Sequence, residues 1–181
     1  SVWWARVFLW TNPVCFREPL APLTAARRAR RAIRLEAVLE AAERLGRRHD
    51  VLIIEGVGGL LVPLTPRVTV ADVAKRLAFP VLLVTRPTLG TLNHTLLSVQ
   101  CLRRMGLPLA GLVVNHSQPA RGGRWEAIVA RTNVELLGRY APVLGQLPFG
   151  SRRGGRERAT SRSLAHWIER HLGRESLERL V

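Results

Sequence analysis

The sequence predicts an α/β fold, a parallel sheet flanked by helices, on three observations. Residues 51–54 read Val-Leu-Ile-Ile, a short, largely β-branched apolar run of the kind found in strands buried on both faces. After it, short apolar runs alternate with longer segments of helical periodicity, as strand, helix and parallel strand do in crossover units. The composition, 47% apolar and 6% aromatic over 181 residues, supplies a sizeable core for a single domain spanning residues 1–181.

Each element follows in chain order. Residues 1–10 are strand-like in composition but alternate poorly, and no helix links them to a neighbour. Residues 23–47 form one long helical candidate, with Ile33, Leu35, Val38, Leu39, Ala42 and Leu45 on one side and Asp50 as a break after it. Residues 51–54 are the first strand. Residues 80–84, 110–114 and 142–145 read as further strands, and residues 69–77, 91–104 and 125–139 as helices. A basic, flexible stretch at 151–155 precedes a terminal helix over 161–172, where Leu164, Trp167, Ile168 and His171 recur at helical spacing.

The most informative segment follows the first strand: Glu55-Gly56-Val57-Gly58-Gly59. In open α/β folds ligands bind beyond the carboxyl ends of the strands, which is where Glu55 is expected. Gly56, Gly58 and Gly59 tolerate positive φ and let backbone N–H groups approach an anion, and a carboxylate is a hard ligand suited to Mg²⁺. This reading stands beside a plainer one, a glycine turn with a solvated Glu55.

The formal charge of +15 alone favours a phosphate-rich partner. Lys75, however, is the one lysine among 28 basic residues, and the arginines are dispersed without interleaved aromatics, so nucleic-acid binding is not expected. The densest cluster, Arg27-Arg28-Ala29-Arg30-Arg31-Ala32-Ile33-Arg34, reads as the solvated face of a helix. Cys15 and Cys101 show no ligand spacing and are expected reduced and structural. No apolar run approaches the ~20 residues that span a bilayer, and no signal-peptide pattern opens the chain, so a cytoplasmic protein without membrane association is expected.

Five segments, in order, resemble dethiobiotin synthetase: residues 12–22 (Asn-Pro-Val-Cys-Phe-Arg-Glu-Pro-Leu-Ala-Pro), Glu55 to Leu64 (Glu-Gly-Val-Gly-Gly-Leu-Leu-Val-Pro-Leu), Leu89 to Thr95 (Leu-Gly-Thr-Leu-Asn-His-Thr), Gly111 to Asn115 (Gly-Leu-Val-Val-Asn) and Gly145 to Pro148 (Gly-Gln-Leu-Pro). The resemblance implies a P-loop NTPase-like domain that works as a homodimer. It also implies the reaction: CO₂ adds to 7,8-diaminononanoate, MgATP phosphorylates the carbamate, and the ring closes to dethiobiotin in biotin biosynthesis. On this resemblance Glu55 is the Mg²⁺ ligand. Glu55, Gly56, Val57, Gly58, Asn115, His116, Pro148, Phe149 and Gly150 bind ATP, and Pro19 and Gly58 bind the diamine substrate. Asn115 reads the adenine edge, and Pro148 and Phe149 wall the base. His116 and Gly150 depart from the family's usual residues. Three plain roles compete: Asn115 as a local cap or turn former, Thr91 or Asn93 as the cap of the helix over 91–104, and Pro19 and Pro22 as loop rigidifiers. His94 is expected at the dimer interface or behind the substrate contacts.

The family's glycine-rich loop ending in Gly-Lys-Thr does not occur in these 181 residues, nor does its downstream catalytic lysine in a Lys-Pro context, so no catalytic residue is assigned. The expectation is a carboxyl-terminal part of the enzyme that is inactive as it stands. A related ATP-dependent ring-forming ligase and a degenerate, non-catalytic subunit of the same fold are the competing readings.

Overall fold

The computed structural model describes residues 11–118 and 123–149, together with Glu169, Arg170 and Leu172. The expected strand-like segment at 1–10, the 151–155 loop and most of the 161–172 helix lie outside the described residues; Glu169, Arg170 and Leu172 are helical. The chain divides into two compact units, 1–79 and 80–181.

The first unit holds three helices, α1 (Pro22–Arg28), α2 (Leu35–Gly46) and α3 (Val70–Leu77). Pro22 opens α1, where its fixed φ and missing N–H cost nothing, and Ala25 and Ala26 face inward. The single helix expected over 23–47 is two helices. The break is a Schellman ending: Arg30 N–H donates to Arg27 O, and Arg31 N–H to Ala26 O, around Arg30 at φ +49. No glycine marks the turn, which is why periodicity ran through it. The arginine cluster is also not simply a solvated helix face. Arg28 forks onto Glu18 at 2.5 and 3.2 Å, while Arg31 donates to Cys15 O and stacks 4.6 Å from the Phe16 ring centroid, so both strap residues 15–18 against the end of α1.

Residues 51–54 form no strand. Val51, Ile53 and Ile54 are exposed, Ile53 by 88%, and among the described residues no extended segment pairs with them. A β-branched run acquires strand geometry only when a neighbour takes up its backbone hydrogen bonds, and no ladder partner stands among the described residues. Further on, α3 starts with a capping box: Asp72 N–H donates to Thr69 Oγ1 at 3.3 Å, and Thr69 N–H to Asp72 Oδ2 at 2.7 Å. The next amides are also used, Val70 N–H on Val62 O and Ala71 N–H on Leu60 O, so the loop before α3 is tied to the helix start. A turned end follows at Ala78, φ +57.

The second unit is β1 (Val81–Thr85), α4 (Thr91–Met105), β2 (Leu109–Asn115), α5 (Arg124–Leu137) and β3 (Val143–Leu147). Its three strands are parallel in the order β1-β2-β3, as the alternation of runs predicts. Buried Val99, Leu112, Leu137 and Ala141 join α4 and α5 to one face, and Val113, Leu144 and Leu172 form a cluster on the other. Gly111 is required by this packing: a Cβ there would lie 2.6 Å from Leu144 Cγ.

Candidate functional site

Three groups of sequence-predicted site residues take definite places. Glu55 stands exposed at the head of the glycine turn rather than at the end of a strand. Of the three glycines only Gly58 uses positive φ, at +73. Gly56 and Gly58 are instead both crowded: Cβ atoms there would lie 3.1 Å from Val70 Cγ1 and 2.9 Å from Val62 Cγ2, while Gly59 faces open space. The turn is pressed against the loop that leads into α3. Its amides are unused, for among the described residues the N–H groups of Gly56, Val57 and Gly58 make no hydrogen bond. The turn therefore combines one carboxylate with three consecutive unbonded donors.

Pro19 lines an open depression of about 460 Å³ with Glu18, Leu20, Thr24 and Arg28. The Arg28 guanidinium is held above its ordinary basicity by the Glu18 carboxylate. The pair is largely exposed, at 63% and 47%, so solvent screens it.

Asn115, His116, Pro148 and Phe149 gather at the carboxyl ends of β2 and β3. Asn115 is in register with Leu147, His116 N–H donates to Leu147 O at 2.9 Å, and His116 Nε2 lies 3.4 Å from Gln146 Oε1. The half-buried Asn115 side chain forms no hydrogen bond among the described residues, so the local cap or turn expected as its plain role is not formed. Pro148 and Phe149 follow the end of β3 and are exposed. Gly150 lies outside the described residues. This set belongs to the second unit, whereas Glu55, Gly56, Val57, Gly58 and Pro19 belong to the first.

At the carboxyl end of β1 the structure adds a group that sequence reasoning missed. Thr85 Oγ1 lies 2.6 Å from Thr91 Oγ1 and 2.7 Å from Thr95 Oγ1, and both helix threonines are buried. Thr91 thus bonds across to the strand, and neither it nor Asn93 caps α4; the cap residue is Gly90, in the left-handed region at φ +90. Buried Asn133 of α5 donates to Thr88 O at 3.4 Å, and Thr91 N–H to the same carbonyl at 3.1 Å. The available signal was the four-residue spacing of Thr91 and Thr95, which places both on one helix face. His94 is exposed on α4.

With this geometry in place, comparison with known proteins is decisive. A family model described as an AAA domain matches residues 9–152. The ATP-dependent dethiobiotin synthetase BioD of Bacillus velezensis is 32% identical over 172 residues, covering 94% of this chain and 69% of that protein. The chain belongs to the dethiobiotin synthetase family. The BioD proteins of Streptomyces coelicolor and Anaeromyxobacter dehalogenans strain 2CP-C are 46% identical over 161 residues and 53% identical over 107 residues. They are covered to 63% and 48%, against 84% and 59% of this chain, so the chain spans about half the length of the first of its curated relatives. Membership accounts for the α/β, P-loop NTPase-like class and its parallel sheet flanked by helices. Among the described residues no helix is long and apolar enough to cross a membrane.

A dethiobiotin synthetase in this family is ATP-dependent by name, which raises the question of a metal. Mg²⁺ at phosphate-transfer sites is held by one or two carboxylates completed by phosphate oxygens and water. Among the described residues no group of three or more His, Cys, Asp or Glu could hold a metal unaided. Glu55 with its unbonded amides fits the shared kind of site, in which phosphates complete the shell.

Proposed function

We propose that this chain is the adenine-reading and carboxylate-bearing part of a dethiobiotin synthetase, a single partial nucleotide-binding domain over residues 1–181. The enzyme carboxylates 7,8-diaminononanoate with CO₂ and closes the ring at the expense of ATP. The observation that carries the reading is Asn115: a strand-end amide with no partner among the described residues, at the carboxyl edge of a parallel sheet, followed across the register by Pro148 and Phe149. An unbonded carboxamide offers a donor group beside an acceptor group, the pair that the amino edge of adenine requires.

Each remaining residue has a part in that scheme. Glu55 is the Mg²⁺ ligand, and the bound ion would neutralise phosphate charge. The amides of Gly56, Val57 and Gly58 donate to oxyanions of ATP or of the substrate. Pro19 borders the aliphatic chain of the diamine. His116 and Gly150 complete the base site. The protein acts as a cytoplasmic homodimer, with exposed His94 on α4 near the partner.

Phosphoryl transfer depends on positioning and charge neutralisation, and these 181 residues contain no Gly-Lys-Thr loop. The chain alone is therefore expected to release no phosphate from MgATP in the presence of diaminononanoate and bicarbonate. Fusing the phosphate-loop segment of a family member ahead of Ser1 is expected to produce phosphate release that requires the diamine, and E55A and N115A are each expected to reduce it. Turnover by the unfused chain at an ordinary enzyme rate would refute the proposal, as would a fused protein indifferent to both substitutions.

A further inference from the structure

The carboxyl end of β1 carries a cation beside the candidate base site. Arg86 follows Thr85 directly, is exposed, and its side chain makes no hydrogen bond or ion pair among the described residues. Arg28, Arg31, Arg47, Arg103 and Arg131 each engage a partner within the chain, whereas Arg86 shares its lack of one with other exposed arginines and is set apart by its place at the carboxyl end of a strand. The backbone around Arg86 is constrained on both sides. Before it, the Thr85 hydroxyl is pinned by two buried threonines. Behind it come Pro87, with its fixed φ, and Thr88, whose carbonyl is held by Asn133 and by the first amide of α4. A rigid support under an unpartnered guanidinium is how a binding group is kept in place.

Its position is set by the sheet register. Thr85 pairs with Val114 on the neighbouring strand, so Arg86 and Asn115 stand level at the carboxyl edge, on strands about 4.8 Å apart. A base read by Asn115 brings its ribose and phosphates within the range of a long side chain rooted one strand away. The planar guanidinium fork matches the oxygens of phosphate. We infer that Arg86 is a phosphate ligand of this site, discriminating nucleotide from nucleoside. The inference rests on the reading of Asn115 as the base contact. Thr85, Thr91, Thr95 and Asn133 are its positioning residues.

The test is a set of NMR titrations on the full 181-residue chain without Mg²⁺, so that Glu55 takes no part as a metal ligand. Adenosine, ATP and pyrophosphate are the probes, followed at the Asn115 side-chain amide and the Arg86 Nε–H. ATP is expected to bind about tenfold tighter than adenosine, the size of one or two charge-assisted hydrogen bonds. In R86Q that ratio falls towards one with adenosine affinity unchanged, and R86K recovers part of it. Because Arg86 has no partner within the described residues, R86Q is expected to leave the fold intact. The inference is overturned if R86Q keeps the ratio, weakens both ligands equally, or if pyrophosphate leaves Arg86 unmoved. A shift of Arg86 by heptanoate but not by pyrophosphate would assign it to a carboxylate and overturn it too. Failure of adenosine to move Asn115, with pyrophosphate still binding at Arg86, would sink the base reading and leave the phosphate ligand standing.

Discussion

Replacing Gly58 by alanine puts the glycine turn to its sharpest test. At φ +73 a side chain is strained, at about 1–2 kcal/mol. The added Cβ would also lie 2.9 Å from Val62 Cγ2, a clash that forces the half-buried valine or the backbone to move, at about 1–3 kcal/mol. G58A is therefore expected to destabilise the chain by about 2–5 kcal/mol. The adjacent residue is the internal control: Gly59 has no positive φ, and a Cβ there meets nothing within 4 Å, so G59A is expected within about 0.5 kcal/mol of the parent or slightly more stable. A G58A/V62A double variant separates the two causes. It removes the clash and keeps the strain, so its cost is expected to fall short of the sum of the G58A and V62A costs by about 1–3 kcal/mol. Urea unfolding with the slope held constant measures the parent, G58A, G59A, V62A and the double variant. If G58A costs less than about 0.5 kcal/mol, or G59A costs as much as G58A, the argument from turn geometry is wrong.

Three more outcomes are expected. R30G relieves the left-handed residue at the end of α1 and is expected to stabilise the chain by about 1 kcal/mol; a lower melting temperature would contradict the Schellman assignment. The Asp72 carboxyl is held below the usual range, first by the Thr69 backbone N–H and then by the Thr69 hydroxyl. Its contribution is present above the unfolded carboxylate value of about 3.9 and is lost as pH falls through the lower folded value, so D72N is expected to flatten the stability curve below about pH 4. Parallel curves for D72N and the parent from pH 7 to 3 would remove the capping box from the account. T95V leaves the Thr85 and Thr91 hydroxyls short of a partner and is expected to cost about 1–3 kcal/mol, with T95S close to the parent in the same unfolding measurement.

What the sequence made legible is what local chemistry decides. The helices at Val70–Leu77 and Thr91–Met105 and the strands β1 to β3 match their expected spans to within one or two residues, because periodicity and capping residues are local signals. The break near Arg30 was hidden, since its left-handed residue is an arginine where a glycine would have announced it. Residues 51–54 carry the composition of a strand, yet composition cannot supply the neighbour that a ladder requires. Among the site residues, Asn115, His116, Pro148 and Phe149 converge because parallel strands bring their carboxyl ends to one edge. That Gly56 and Gly58 need the space a side chain would fill, and Gly59 does not, depends on Val70 and Val62, which a reading of the glycine motif alone does not weigh.

A single physical contrast separates scaffold from candidate site in both units. The scaffold is saturated: the first amides of α3 are all taken, Thr85, Thr91 and Thr95 satisfy one another, and among the described residues no buried side-chain polar atom lacks a partner. The candidate ligand groups are not. Three amides after Glu55, the Asn115 carboxamide and the Arg86 guanidinium all lack a hydrogen bond among the described residues, and each adjoins backbone that the scaffold fixes. Water satisfies an exposed donor at little cost, so exposure alone gives no reason to hold one rigidly. Rigid placement lowers the ordering cost of binding, and donors of this number and kind suit an anion with many oxygens. If loosening the support by T95V or N133A left nucleotide affinity unchanged while lowering stability, the scaffold would be structural only, and the contrast would lose its functional meaning.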